Sequence, residues 1–287
     1  MTPLLPKGSR VAIVAPSGIC TPERLAGGLQ ILRDAGYTLL IPDPLEQPHR
    51  YLAGSDAHRL AQLRTALTRP DVDAVWASRG GFGVTRLLPE LPWSTLPKRL
   101  ILGFSDLTPL LYGLNERVGS PALHAPVVHS LSSTSEAARA HLFSQLQGDG
   151  RAALSGTSWS PGVARGRLIG GNLAMLAATL GTAWAPRADG AILFLEDVGE
   201  TPYRVDRLLT QLHHAGVLSR AAGIALGSWS GCAAPEGATW SLSDVLRDHL
   251  LPLGVPVVAG LPFGHTEENF ALPVGRMATL GEDLLAW

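Results

Sequence analysis

The chain has 287 residues, 46% hydrophobic and 16% charged, with a formal net charge of −1. This composition is too apolar and too weakly charged for a disordered segment. The near-neutral balance also excludes nucleic acid or an anionic membrane surface as an electrostatically driven partner.

From the N-terminus, Met1 to Lys7 lacks the pattern of a signal peptide, and no uninterrupted apolar run reaches membrane-spanning length. Cys20 and Cys232 lie far apart in sequence and outline neither a disulfide framework nor a C-x-x-C pair. A protein of the cytoplasm is expected. Arg10 to Val14 reads as a short apolar strand running into the turn Ala15-Pro16-Ser17-Gly18. Pro22 to Ala35 has helical spacing (Leu25, Leu29, Leu32), with Thr21-Pro22-Glu23 as a start signal and Gly36 as a stop. A strand over Tyr37–Pro42, a helix over Ser55–Thr68 and a strand over Ala74–Ser78 follow. Arg79-Gly80-Gly81-Phe82-Gly83 breaks the pattern, and Leu100-Ile101-Leu102 forms another strand. That strand turns through Gly103-Phe104-Ser105-Asp106 into a helix from Leu107 to Leu114.

Between 146 and 167 the texture shifts to glycine and serine, the mark of a linker. The domains are therefore expected at 1–147 and 168–287, with a linker over 148–167. The second half contains Leu168-Ile169-Gly170-Gly171-Asn172 with a helical pattern through Leu180, and a strand over Ala191–Leu195. A helix over Pro202–His214, a strand over Gly223–Trp229, a helix over Leu242–Leu251 and an apolar run over Val255–Gly260 follow. The tail reads as strands and turns. Alternating strands and helices predict an α/β protein. Its N-terminal sheet is mostly parallel and flanked by helices, and a smaller C-terminal α/β domain accompanies it. Sites in such sheets gather at the carboxyl ends of strands.

Ser105 stands at such an end, where a hydroxyl can attack a carbonyl and helix-start N–H groups can meet the developing charge. It can equally be a helix cap. A nucleophilic serine requires a base and an orienting acid. Of the nine histidines, His265 is best placed, after an apolar run and a Pro-Phe-Gly turn, with His124 as the alternative. His213 and His214 sit in a helix pattern. Glu196 follows Ile192-Leu193-Phe194-Leu195 directly, a buried position that is costly for an acid unless it is paired. Asp197 and Glu200 better suit the start of the next helix. With Asp206 they raise a metal site, but no metal-ligand spacing accompanies them, so neither metal nor cofactor is expected. The glycine loop can present N–H groups to a phosphate or an oxyanion.

Six segments together resemble the LD-carboxypeptidases, serine peptidases that include the microcin C self-immunity peptidases. They are Val14–Gly18, Arg79–Gly83, Gly103–Thr108, Gly170–Leu173, Leu195–Glu200 and Gly264-His265. They occur in family order over nearly the whole chain. The resemblance implies Ser105 as nucleophile, His265 as general base and acid, and Glu196 as the acid that orients it. It implies an oxyanion hole from the N–H of Asp106 and of a glycine of the Gly80-Gly81 pair. It also implies a two-domain fold with the site at the domain interface, commonly within a homodimer. The expected activity is removal of terminal D-alanine from muropeptide tetrapeptides in peptidoglycan recycling. Arg79 is the candidate for binding the substrate's terminal carboxylate. Phe82 and Phe104 stand where family members often have tyrosine, and the serine lacks the second glycine of G-x-S-x-G. The rivals are hydrolysis of a microcin-like aminoacyl nucleotide, with Trp184, Trp229 or Trp240 as base platform, and a catalytically silent ligand-binding protein. Either enzymatic reading takes a small peptide or peptide–nucleotide substrate.

Overall fold

The structure, a computed structural model, describes residues 3–148 and 152–287. The chain divides after residue 150 into two compact units, and Asn269–Pro273 returns to the first. In the first unit, β1 (Arg10–Val14), α1 (Pro22–Asp34), β2 (Thr38–Leu40), α2 (Asp56–Thr68), β3 (Ala74–Ala77), β4 (Leu100–Gly103), α3 (Thr108–Val118), β5 (Ala122–His124) and α4 (Glu136–Gln147) follow one another. The pairings β2–β1, β1–β3, β3–β4 and β4–β5 are all parallel. The strand beginning at Leu272 lies beside β5 and completes six. Val11, Ile13, Trp76 and Leu102 from the strands pack with Leu32, Leu142 and Leu146 from the helices into one buried core. Local signals decide the helix starts. The Ser55 hydroxyl accepts the His58 N–H at 3.2 Å, and Ser135 does the same for Ala138 at 3.2 Å. Such a cap contributes about 1 kcal/mol.

The second unit contains β6 (Ala153–Ser155), β7 (Thr157–Ser160), β8 (Ala164–Asn172), α5 (Leu173–Ala178), β9 (Ile192–Val198), α6 (Pro202–His214), α7 (Val217–Arg220), β10 (Gly223–Ser230), α8 (Leu242–Leu250), β11 (Val257–Ala259), β13 (Met277–Gly281) and β14 (Leu284–Ala286); β12 (Leu272–Val274), which precedes the last two in the chain, is the strand beside β5 in the first sheet. Its eight-stranded sheet is ordered β6-β14-β13-β8-β9-β10-β11-β7. The strands β8, β9, β10 and β11 run parallel, while β7, β13 and β14 join antiparallel. Leu193, Leu195, Ile224 and Leu226 of this sheet pack on Val205 and Leu209 of α6 and Leu246 of α8. The expected α/β class with two sheets is what the chain adopts. Among the described residues no helix is long and apolar enough to cross a membrane.

The stretch over 148–167 is not a linker where it is described. Residues 149–151 of it, like residues 1 and 2 of the expected first domain, lie outside the described residues. Gly148 ends α4 in the first unit, and residues 152–167 carry β6, β7 and the start of β8 inside the second. Gly156 and Gly166 in it mark close packing rather than a flexible connection. A Cβ on Gly156 would stand 2.5 Å from the Ala259 carbonyl oxygen, and one on Gly166 2.3 Å from that of Gly190. Strand β9 also runs three residues beyond its expected end. Glu196 is in register with Asn172 of β8, and Asp197 with Trp229 of β10.

Candidate active site

The Ser105 turn is built by a buried strand that must reverse. Leu100, Ile101 and Leu102 are buried, and a Cβ on Gly103 would stand 2.9 Å from the Leu107 side chain. Phe104 is extended, and Ser105 then adopts φ 63°, a left-handed conformation that costs a non-glycine residue on the order of 1–3 kcal/mol. The turn Ser105–Leu107 leads into α3, and the Thr108 hydroxyl donates to the Ser105 carbonyl at 2.8 Å. Neither the turn nor α3 has a side-chain cap hydrogen bond. The helix-capping reading of Ser105 is therefore set aside.

The glycine loop packs directly on this serine. A Cβ on Gly80 would lie 3.0 Å from Ser105 Cβ and 3.3 Å from its Oγ. The Gly80 carbonyl accepts the Gly18 N–H at 2.9 Å. Gly81, at φ 105°, turns the loop. We expect Gly80→Ala to fold normally but to displace the Ser105 hydroxyl. Activity should fall about 100-fold, comparable to loss of one oxyanion donor. Steady-state assay together with a melting curve checks this.

The Asp106 side chain is held inside the turn. Its buried carboxylate accepts the Ser17 hydroxyl at 2.5 Å and the Val84 N–H at 2.9 Å. It thereby ties the Ser105 turn to two loops. Burial pushes its pKa above the usual carboxylate range, opposed by the hydrogen bonds from Ser17 and Val84. With the folded value raised, this group's contribution to stability is present below the unfolded pKa and lost as pH rises through the folded one. The melting temperature of Asp106→Asn relative to the parent protein should therefore increase as pH rises above the ordinary aspartate value of about 4.

Beneath the loop, the buried guanidinium of Arg59 donates to the carbonyls of Gly54 (3.1 Å), Gly83 (2.9 Å) and Pro16, and pairs with Asp56. Half-buried Arg79 donates to the Ile19 carbonyl and, among the described residues, makes no ion pair. The thiol of Cys20 is pushed up to about 12, chiefly by burial, which makes it a poor nucleophile.

In the second unit, Glu196 and His265 meet. Glu196 is fully buried within β9, and its Oε2 lies 2.6 Å from Nδ1 of His265, whose side chain is 17% exposed. Donation from Nδ1 leaves Nε2 as the basic nitrogen of the neutral ring. Gly264 makes the approach possible. At φ 109°, a Cβ there would stand 2.5 Å from Ser228 Oγ and 2.9 Å from Glu196 Oε2. The Ser230 hydroxyl holds the His265 carbonyl at 2.7 Å.

The other acids disperse. Asp197 is not at the start of α6. It is buried and accepts the Asn172 amide at 2.8 Å and the Ala174 N–H at 2.9 Å, so it caps α5 instead. Burial pushes its pKa up. Glu200 pairs with Arg204 at 2.7 Å, and Asp206 with His249 at 2.8 Å. Among the described residues no group of three or more His, Cys, Asp or Glu side chains is placed to hold a metal ion. His124 is fully buried, edge-on to the Phe104 ring at 5.8 Å, while His213 and His214 are both exposed.

The Ser17 contact and the Asp106 carboxylate carry no local sequence signal. Arg59 does, because it shares the buried helix face with Leu63 and Ala66 at i+4 and i+7.

The model of the LD-carboxypeptidase N-terminal domain matches residues 11–125, and that of the LD-carboxypeptidase C-terminal domain matches residues 165–280. The murein tetrapeptide carboxypeptidase of Pseudomonas aeruginosa is 36% identical over 299 residues, covering 98% of this chain and 96% of that one. Among solved structures, the muramoyltetrapeptide carboxypeptidase from Oxalobacter formigenes matches with a TM-score of 0.86 at 32% identity, over 97% of both chains. The microcin C7 self-immunity protein MccF, in a structure with glutamyl sulfamoyl guanosine, shares the fold with a TM-score of 0.88. At 21% identity it covers 99% of this chain and 97% of its own.

Proposed function

We propose that this chain, which belongs to the LD-carboxypeptidase family of serine peptidases, removes the terminal D-alanine from muropeptide tetrapeptides. The cut falls after the L-centre of the diamino acid. The observation that carries this reading is the fully buried Glu196 carboxylate at 2.6 Å from His265 Nδ1. A buried acid bonded to the far nitrogen of a partly exposed imidazole is the arrangement that orients a general base and stabilises its charged form.

In this reading Ser105 Oγ attacks the scissile carbonyl and passes its proton to His265 Nε2. Glu196 stabilises the resulting imidazolium without taking the proton. The tetrahedral oxyanion is held by the N–H of Asp106 and of the Gly80–Gly81 pair. His265 then protonates the leaving D-alanine nitrogen, and water hydrolyses the acyl-enzyme with the histidine again as base. Arg79, whose guanidinium forms no ion pair among the described residues, binds the terminal carboxylate. In this reading the enzyme acts in peptidoglycan recycling, in the cytoplasm and as a homodimer.

The test is direct. Incubation with a muropeptide tetrapeptide should release D-alanine, detected by mass spectrometry, and a fluorophosphonate should label the peptide containing Ser105. Release of an amino acid from an aminoacyl nucleotide, with the tetrapeptide left intact, overturns the substrate assignment. Labelling elsewhere overturns the nucleophile.

A further inference from the structure

An exposed aromatic pair borders the nucleophile turn and has no part in the chemistry above. Tyr51 is 60% exposed and Phe82 44%. Their rings meet edge to face with centroids 6.0 Å apart. Neither ring rides on a loose loop. Tyr51 sits in a tight turn closed by hydrogen bonds between His49 and Leu52 of 2.9 and 3.0 Å, with Arg50 at φ 59°. Leu52 bridges to Gly18, and the Gly18 N–H donates to the Gly80 carbonyl. The turn, the Ser17–Gly18 segment and the glycine loop thus form one hydrogen-bonded piece, with Gly80 packed on Ser105. Phe82 follows Gly80 by two residues, so their Cα atoms are at most about 7.6 Å apart. Two large rings held in water forgo their burial energy, and such patches mark recognition surfaces.

We propose that Tyr51 and Phe82 form the subsite that grips the side chain of the residue contributing the scissile carbonyl, taking its methylene stem against the two rings. This rests on the carboxypeptidase reading above and adds to it the determinant of side-chain preference. Reach and size select the occupant. The leaving D-alanine offers a single methyl group, too small to engage two rings. The diamino acid on the acyl side carries a long aliphatic stem that starts next to the reacting carbonyl. Its terminal ammonium is also favoured over an aromatic face.

The experiment crosses two enzymes with two substrates. The substrates are tetrapeptides identical except for the diamino acid or alanine before the terminal D-alanine. The double variant Tyr51→Ser, Phe82→Ser should raise KM for the diamino-acid peptide about tenfold with kcat unchanged, in line with the loss of methylene contacts. Its kcat/KM for the alanine peptide should match that of the parent protein, so the parent's preference collapses. Phe82→Tyr should retain that preference. Equal losses on both peptides, or no loss on either, overturn the subsite. A parent protein that releases D-alanine from neither peptide overturns the carboxypeptidase reading and the subsite with it, whereas normal turnover with an unchanged preference overturns the subsite alone.

Discussion

Ser105→Ala should lower kcat for D-alanine release by about 10⁴-fold or more while leaving the fold intact. The substitution removes only Oγ. The Cβ that already sits against Gly80 stays in place, so no clash or cavity follows. The size of the loss reflects the loss of the covalent step itself, with the oxyanion donors and peptide binding supplying whatever rate remains. Mass-spectrometric D-alanine assay, with melting curves on both proteins, checks it. Retained turnover would place the nucleophile elsewhere. The backbone adds a second readout. Alanine tolerates φ 63° no better than serine, whereas glycine adopts it freely. Ser105→Gly should therefore be as inactive as Ser105→Ala yet melt at a higher temperature. A serine kept where glycine would be more stable indicates selection for the hydroxyl.

Glu196→Gln should lower kcat by roughly 10²- to 10⁴-fold. The amide is nearly isosteric and can still accept the His265 N–H, but it no longer carries the charge that stabilises the imidazolium. Because the carboxylate is fully buried, replacing it with a neutral group removes a desolvated charge, and stability should hold or rise. A melting curve thus separates lost chemistry from lost fold. Glu200→Gln is the matched control. Its carboxylate is committed to Arg204 at 2.7 Å, and activity should stay within about twofold of the parent, as expected of an ion pair whose arginine is half exposed and that has no part in the chemistry. Full activity in Glu196→Gln with loss in Glu200→Gln would reverse the assignment.

Much of the fold is legible in local patterns. The span of α6, Pro202–His214, follows from the spacing of Val205, Leu209 and Leu212 with a proline at the start. The parallel sheet of the first unit follows from the strand–helix alternation up to Leu114. Two failures share one cause. The glycines of 148–167 resemble a linker because composition does not distinguish a residue that must flex from one that lets another backbone approach. From sequence, strand β9 reads as ending at Leu195 because carboxylates are poor strand-interior residues, and the partners that make them tolerable, His265 for Glu196 and Asn172 for Asp197, are remote in sequence. Helix α4 is missed for a milder reason. Its buried positions, Ala138, Leu142 and Leu146, include a small residue that weakens the apolar periodicity.

The sequence by itself determined the order of most elements, the candidate serine, acid and histidine, and the family, because helix starts, apolar periodicity and contiguous motifs are encoded within a few residues of one another. Only the tertiary structure decided that Ser105 is held left-handed and caps nothing, and that the Asp106 carboxylate clamps Ser17 and the Val84 N–H. It likewise decided that Glu196, rather than Asp197 or Glu200, receives His265 across 69 residues of chain. The physical reason is that a hydrogen bond depends on position to a few tenths of an ångström. Between distant segments, that position is set by strand register and by the close packing that Gly80 and Gly264 permit.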